Sequence, residues 1–199
     1  MAFVLLTALV ASGSDAISAV DADVRALADL ALGTSDGPWP GAGGRADLVG
    51  SALLGAGLAA VLGVLLRRRR FGAALWVLAG LTAQFAAEML LEPVVGRPLP
   101  VPADGTPPDA GFSFPSGHMA SATLLLVVLL VVMRTGTPLW WLCLVVGPLC
   151  AAAVGISRVL ADAHHAADVA GGALLGLAVG FAVAWRVDAR SPNTFGKEA

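Results

Sequence analysis

Six apolar stretches divide this chain, and each is long enough to cross the hydrocarbon core of a bilayer or nearly so. They run over roughly 2–19, 47–66, 71–91, from Ser116 to Met133, 138–156 and 166–185. About 20 apolar residues in a helix span that core. The backbone of such a segment must satisfy its own hydrogen bonds in lipid, which leaves helices as the structure it can form. The 57% hydrophobic content and the 13% charged content, against roughly 25% charged in soluble domains, follow from those stretches. The sequence therefore predicts an all-α, polytopic membrane helix bundle of about six transmembrane helices. A single membrane-embedded domain is expected over 1–199, with its core at 45–185 and a tail at 187–199.

The first stretch is the weakest, being short and interrupted by Asp15. A signal peptide has a similar length, but this segment lacks a basic n-region. Residues 20–46 read as an outer loop in which Asp21 to Leu32 forms an amphipathic helix on the membrane surface, broken by Gly37-Pro38-Trp39-Pro40-Gly41. Arg67 to Arg70, Arg134, Arg186, Arg190 and Lys197 fall on one side of the predicted membrane, and Arg25, Arg45, Arg97 and Arg158 on the other. The richer side faces the cytoplasm, so both termini are expected inside, in a multi-pass protein of the cell membrane. Cys143 and Cys150 lie seven apart in one apolar segment and read as packing residues. Gly172, Gly176 and Gly180 recur at every fourth position, which permits close helix contact in lipid. Packing within the bundle is the expected use, ahead of a dimer surface.

All three histidines sit in two short polar runs on the predicted outer side. Pro115-Ser116-Gly117-His118 lies where a loop becomes the fourth apolar stretch. Pro and Ser favour a helix start, and the free N–H groups there favour an anion. Gly117 admits a close backbone approach, Ser116 adds a hydroxyl, and His118 is placed for proton transfer. The second run holds Ser157, Arg158, His164, His165 and Asp168. Arg158 can meet phosphate as a planar fork. His164 and Asp168 are four apart, which on a helix places them on one face. A carboxylate on one imidazole nitrogen would leave the other as nucleophile or base. The same cluster could serve merely to anchor helix ends, but ionisable residues at membrane depth are functional by default. No metal is expected, because His164 and Asp168 make only half a zinc site and the zinc-protease Glu is missing between them. No nucleic-acid partner is expected either.

These residues resemble the type-2 phosphatidic acid phosphatase family of membrane lipid phosphatases, which shares its active-site pattern with vanadium haloperoxidases. Pro115 to His118 match its second motif; Ser157, Arg158, His164 and Asp168 match its third. The first motif, Lys, six residues, Arg-Pro, is not matched. Over Glu92-Pro93-Val94-Val95-Gly96-Arg97-Pro98-Leu99-Pro100, one register puts Glu92 and Leu99 at the Lys and Arg positions, and another puts Leu90 at the Lys position. The resemblance implies hydrolysis of a lipid-linked phosphate or diphosphate at the outer face, without a cofactor. It implies His164 as nucleophile oriented by Asp168, and His118 as acid and then base. Arg158, Ser116, Gly117, Ser157 and Arg97 are implied on the phosphate side. A phosphotransferase on the same scaffold, or a catalytically weak protein that binds lipid phosphates, would use the same residues.

Overall fold

The computed structural model describes residues 1–32, 44–101, 111–133 and 135–188. Within them the chain forms seven helices: α1 (Ala2–Ala11), α2 (Asp15–Leu32), α3 (Gly44–Arg67), α4 (Phe71–Val95), α5 (Gly117–Val132), α6 (Pro138–Leu160) and α7 (Ala166–Asp188). Four segments are long and apolar enough to cross a membrane: Leu48–Arg67, Phe71–Val95, Pro138–Leu160 and Ala166–Val187. They coincide with four of the expected stretches. The stretch from Ser116 to Met133 is a shorter apolar helix of 16 residues, about 24 Å long at 1.5 Å per residue.

The first stretch departs from expectation. Residues 2–19 are not one continuous helix: α1 and α2 meet at a bend of 97°, and only together are they long and apolar enough to cross a membrane. Gly13 ends α1 in the left-handed conformation (φ 64°), and the Gly13 N–H donates to the Val10 carbonyl at 3.0 Å. The Ser14 carbonyl then accepts from Ile17 and Ser18 as the next helix begins. A left-handed glycine followed by Ser and Asp is a stop signal and a start signal in succession. The amphipathic helix expected from Asp21 consequently begins six residues earlier. The Gly37–Gly41 break, Arg134 and the tail from 189 lie outside the described residues.

Helices α5 and α7 form the centre. α7 packs along α5 and also meets α1, α2, α4 and α6; α3, α4 and α6 close round α5. Lipid tails are as apolar as leucine, so close van der Waals contact and not hydrophobicity selects this pairing. The glycine stripe of α7 supplies it. A Cβ at Gly172 would collide with the Ser116 carbonyl oxygen, one at Gly176 with Thr123 Oγ1 and the Ala120 carbonyl, and one at Gly180 would lie 2.8 Å from Val127 Cβ. The stripe thus serves packing inside the bundle. Thr123 spends its hydroxyl on the Met119 and Ala120 carbonyls of its own helix, at 2.8 and 3.1 Å.

The outer faces carry exposed Leu53, Leu75, Phe85, Leu142, Leu149 and Phe181, the surface a lipid-facing bundle presents. At one end a buried cluster of Val61, Leu65, Val77, Leu124, Val128 and Val183 sits below Arg67 to Arg70. There the Arg186 guanidinium lies 4.9 Å from the centre of the Trp76 ring. The histidine motifs occupy the opposite end of the same helices.

Gly176→Leu would drive a side chain into α5 backbone, and overpacking of this kind costs about 1–3 kcal/mol. The expected outcome is a clearly lower unfolding midpoint in detergent, with little change for Leu149→Ala on the exposed face. Equal midpoints would sink the close-packing account.

Candidate active site

The site is assembled from four chain segments at one end of the α5–α7 pair. α4 ends at Gly96 (φ 65°), whose N–H returns to the Glu92 carbonyl at 2.9 Å. Pro98 and Phe112 form an isolated antiparallel bridge. The Ser113 N–H donates to the Arg97 carbonyl at 2.9 Å, and the Ser113 hydroxyl to the Pro98 carbonyl at 3.0 Å. These bonds fasten Arg97 beside the approach to α5. Phe114 is wholly buried, stacked on Phe3 with ring centres 6.4 Å apart.

Ser116 caps α5 and is also wholly buried. Its N–H donates to the Asp168 carbonyl at 3.0 Å, which joins the two histidine motifs. Its hydroxyl has no hydrogen-bond partner among the described residues. At Gly117 the close approach is made by Glu88: an added Cβ would lie 3.0 Å from Glu88 Oε2. Glu88 in turn accepts from Gln84 Nε2 at 3.0 Å, and the same amide reaches Ser121. His118 Nε2 is 3.0 Å from the Ser51 hydroxyl on α3.

The other half of the site is the turn between α6 and α7. Arg158, in the last turn of α6, is buried, and its carbonyl accepts from the N–H groups of Ala163 and His164. Asp162 turns the chain with φ 52°, a conformation that Asp tolerates better than most residues. His164 therefore stands in the turn and not on α7, which begins at Ala166. Its Nδ1 is 2.8 Å from the Ser113 carbonyl oxygen. A carbonyl can only accept, so Nδ1 carries the proton and the Nε2 lone pair is left available.

Asp168 is not the hydrogen-bond partner of His164 that the i,i+4 spacing suggested. One oxygen accepts from the His165 N–H at 2.8 Å, and the other from Arg97 at 2.7 Å. The reason is local: Asp168 is the third residue of α7, and an acidic side chain there folds back to satisfy a free N–H at the helix start. Ser157 likewise turns to its own helix, donating to the Val154 carbonyl at 2.7 Å. Arg97, expected on the phosphate side, is held by Asp168 and by an ion pair with Asp21 of α2.

Asp21 went unrecognised as a site residue. It is buried, and its second oxygen accepts from the Ala167 N–H at 2.7 Å, again at the start of α7. Arg25, one turn on, pairs with Asp29 at 2.9 Å, reaches the Val159 carbonyl at 3.0 Å and pairs with Asp162. Asp21, Arg25 and Asp29 are spaced at four, and that stripe was the available signal for α2 as part of the site. A cavity of about 430 Å3 lies between this stripe and the turn, lined by Asp21, Arg25, Arg97, Asp162, His164 and His165. His118, Ser116 and Arg158 do not line it. They belong to the α5–α6 side of His164, whose ring feels the charges of Asp168, Arg158 and His118.

Burial pushes the His164 imidazole below its ordinary value; the Ser113 carbonyl and Asp168 oppose that shift, and Arg158 and His118 add to it. For Arg97, burial disfavours the charge, but Asp21 and Asp168 outweigh it and hold the guanidinium above its ordinary value. Among the described residues, no three His, Cys, Asp or Glu side chains are grouped as a metal site would require.

Removing one partner of a buried ion pair strands the other, at about 3–5 kcal/mol. Arg97→Met strands two carboxylates and is expected to fall in that range by unfolding in detergent, with Asp21→Asn costing less. Wild-type stability in Arg97→Met would show that the two carboxylates do not depend on this cation.

The PAP2 superfamily matches the chain over residues 73–192, which is 120 of 199 residues and contains both histidine motifs. Among solved structures, the chain is similar to one described as the crystal structure of the first transmembrane PAP2 type phosphatidylglycerolphosphate phosphatase from Bacillus subtilis. The TM-score is 0.70 with 22% identity, over 97% of each chain. At that identity the likeness speaks to the fold, a multi-pass helical membrane fold. No curated protein matches the chain. With more than half of its length matched, the chain belongs to the PAP2 superfamily.

Proposed function

We propose that this protein hydrolyses a lipid-linked phosphate or diphosphate, of polyprenyl or phospholipid type, through a phosphohistidine at the outer face of the cell membrane and without a metal. The observation that carries the reading is the state of His164. Its Nδ1–H is committed to the Ser113 carbonyl, which leaves Nε2 as an unprotonated nucleophile within the field of Arg158. In the proposed reaction Nε2 attacks phosphorus and the bond to the lipid oxygen breaks. His118 gives its proton to that leaving oxygen. The neutral His118 then takes a proton from water, which displaces His164 and releases phosphate. Arg158, the Ser116 hydroxyl and the Gly117 N–H are the groups proposed to stabilise the phosphoryl oxygens. The unsatisfied, wholly buried Ser116 hydroxyl supports that role.

Arg97 and Asp168 are read as positioning residues. Arg97 ties the α4–α5 segment to α7 and α2, and Asp168 shapes the turn that presents His164. The orientation rests on Arg67 to Arg70 and Arg186 lying at the opposite end, which the excess of basic residues assigns to the cytoplasm. Phosphatidylglycerophosphate, phosphatidic acid and polyprenyl phosphates all offer the chemistry this site would use.

Phosphate release by the purified protein in detergent, on a panel of lipid mono- and diphosphates with EDTA present, tests the proposal. Release is expected to survive EDTA and to fall by orders of magnitude in His164→Ala. Release that EDTA abolishes, or that His164→Ala retains, would overturn the mechanism.

The pH dependence follows from His164. The reactive form is neutral and the imidazole is pushed below 6.5. The neutral form therefore persists below that value and is lost as pH falls through the lowered one. A profile of kcat/KM is expected to show its acid limb below pH 6.5; a limb above it would contradict the buried, neutral His164.

A further inference from the structure

The polar cavity at His164 adjoins an apolar one. A groove of about 360 Å3 runs between α2, α5, α6 and α7 and shares Val159 and Ala166 with the polar cavity. Its other walls follow the site in sequence: Met119 comes after His118, and Val169 after Asp168. Ala28, Ala152, Ala170 and Ala173 keep it open. Gly155 lets α6 come close to α7 at its inner wall, where an added Cβ would lie 2.7 Å from Val169 Cγ1. α2 serves both compartments. Asp21, Arg25 and Asp29 line the polar cavity, and Val24 and Ala28 line the groove.

We infer that this groove holds the hydrocarbon chain of the lipid phosphate whose head lies at His164, an inference that rests on the function proposed above. A head carrying negative charge and a long apolar chain needs two adjoining compartments of opposite character, and these two meet at Val159 and Ala166. A second apolar groove of about 310 Å3, between α3, α5 and α6, is lined by Leu54, Leu125, Leu126, Cys143 and Cys150. It shares no lining residue with the polar cavity. Volume and apolarity do not separate the two grooves; continuity with His164 does.

The experiment is photo-crosslinking of the full chain in lipid nanodiscs with hexadecyl phosphate carrying a diazirine near the end of its chain. Labelled peptides are located by mass spectrometry, and phosphate release is followed in the same samples. Label is expected on α6 and α7 around Ile156, Ala170 and Ala173. Displacing even about two methylenes from the groove is expected to cut it about tenfold in Ala152→Phe and in Ala170→Phe. Both alanines are exposed on their helices, so phenylalanine fills the groove without entering the α5–α7 contact. Cys150→Phe, in the other groove, is expected to leave the labelling unchanged. Label around Leu54 and Cys150, or label insensitive to both alanine substitutions, would overturn the inference. Release of phosphate with no label in the groove would overturn the groove alone. Label in the groove with no release would bear out the groove and count against hydrolysis, so the two failures are distinguishable.

Discussion

Asp168 is a wholly buried carboxylate in a chain that is mostly apolar, and the arrangement of the site depends on how that charge is satisfied. An isolated ionised group in such surroundings is too costly to keep. Here one oxygen meets the N–H of His165, the residue just before α7, and the other meets Arg97. The first bond fixes where α7 starts and therefore how the turn carrying His164 is shaped. The second pulls in the α4–α5 segment, whose Ser113 carbonyl orients that same imidazole. Asp21 adds a second carboxylate to the same guanidinium and to the Ala167 N–H in the first turn of the helix. One buried charge thus gathers α2, α4, α5 and α7 round a single turn.

The apolar helices were readable because lipid leaves a chain few choices. A long apolar segment must satisfy its backbone internally, and four spans lie within a few residues of where the sequence puts them. The bend at Gly13 was not readable from hydrophobicity, which runs on across it; only the Gly13-Ser14-Asp15 signals mark it. Both histidine motifs were legible as chemistry, and the structure brings them to one end of the bundle. The pairing expected between His164 and Asp168 was not. Spacing of four places two residues on one face only if both are on the helix, and His164 precedes it. The partners of Arg97, and the approach of Glu88 to Gly117, join residues tens of positions apart, which no local pattern encodes.

The family's first motif supplies cations that this chain lacks, its only lysine being Lys197. Arg97 stands near that motif's place, but its charge is shared between Asp21 and Asp168. Asp29 of α2 and Asp162 of the α6–α7 turn bring further carboxylates against Arg25. The cations that line this cavity, Arg25 and Arg97, are therefore already paired with acids, and an anion there would compete with those carboxylates. This balance distinguishes the site from one built on unpaired lysine and arginine.

The close glycine contact between α5 and α7 also bears on biosynthesis. α7 follows in the chain the helices that are fitted against it, and it brings Asp168 to them. Until α7 has entered the bilayer, Arg97 and Asp21 have no Asp168 or helix start to bind, and Ser116 has no Asp168 carbonyl to fix it. A partly synthesised chain can thread its earlier helices through the membrane and yet contain no formed site.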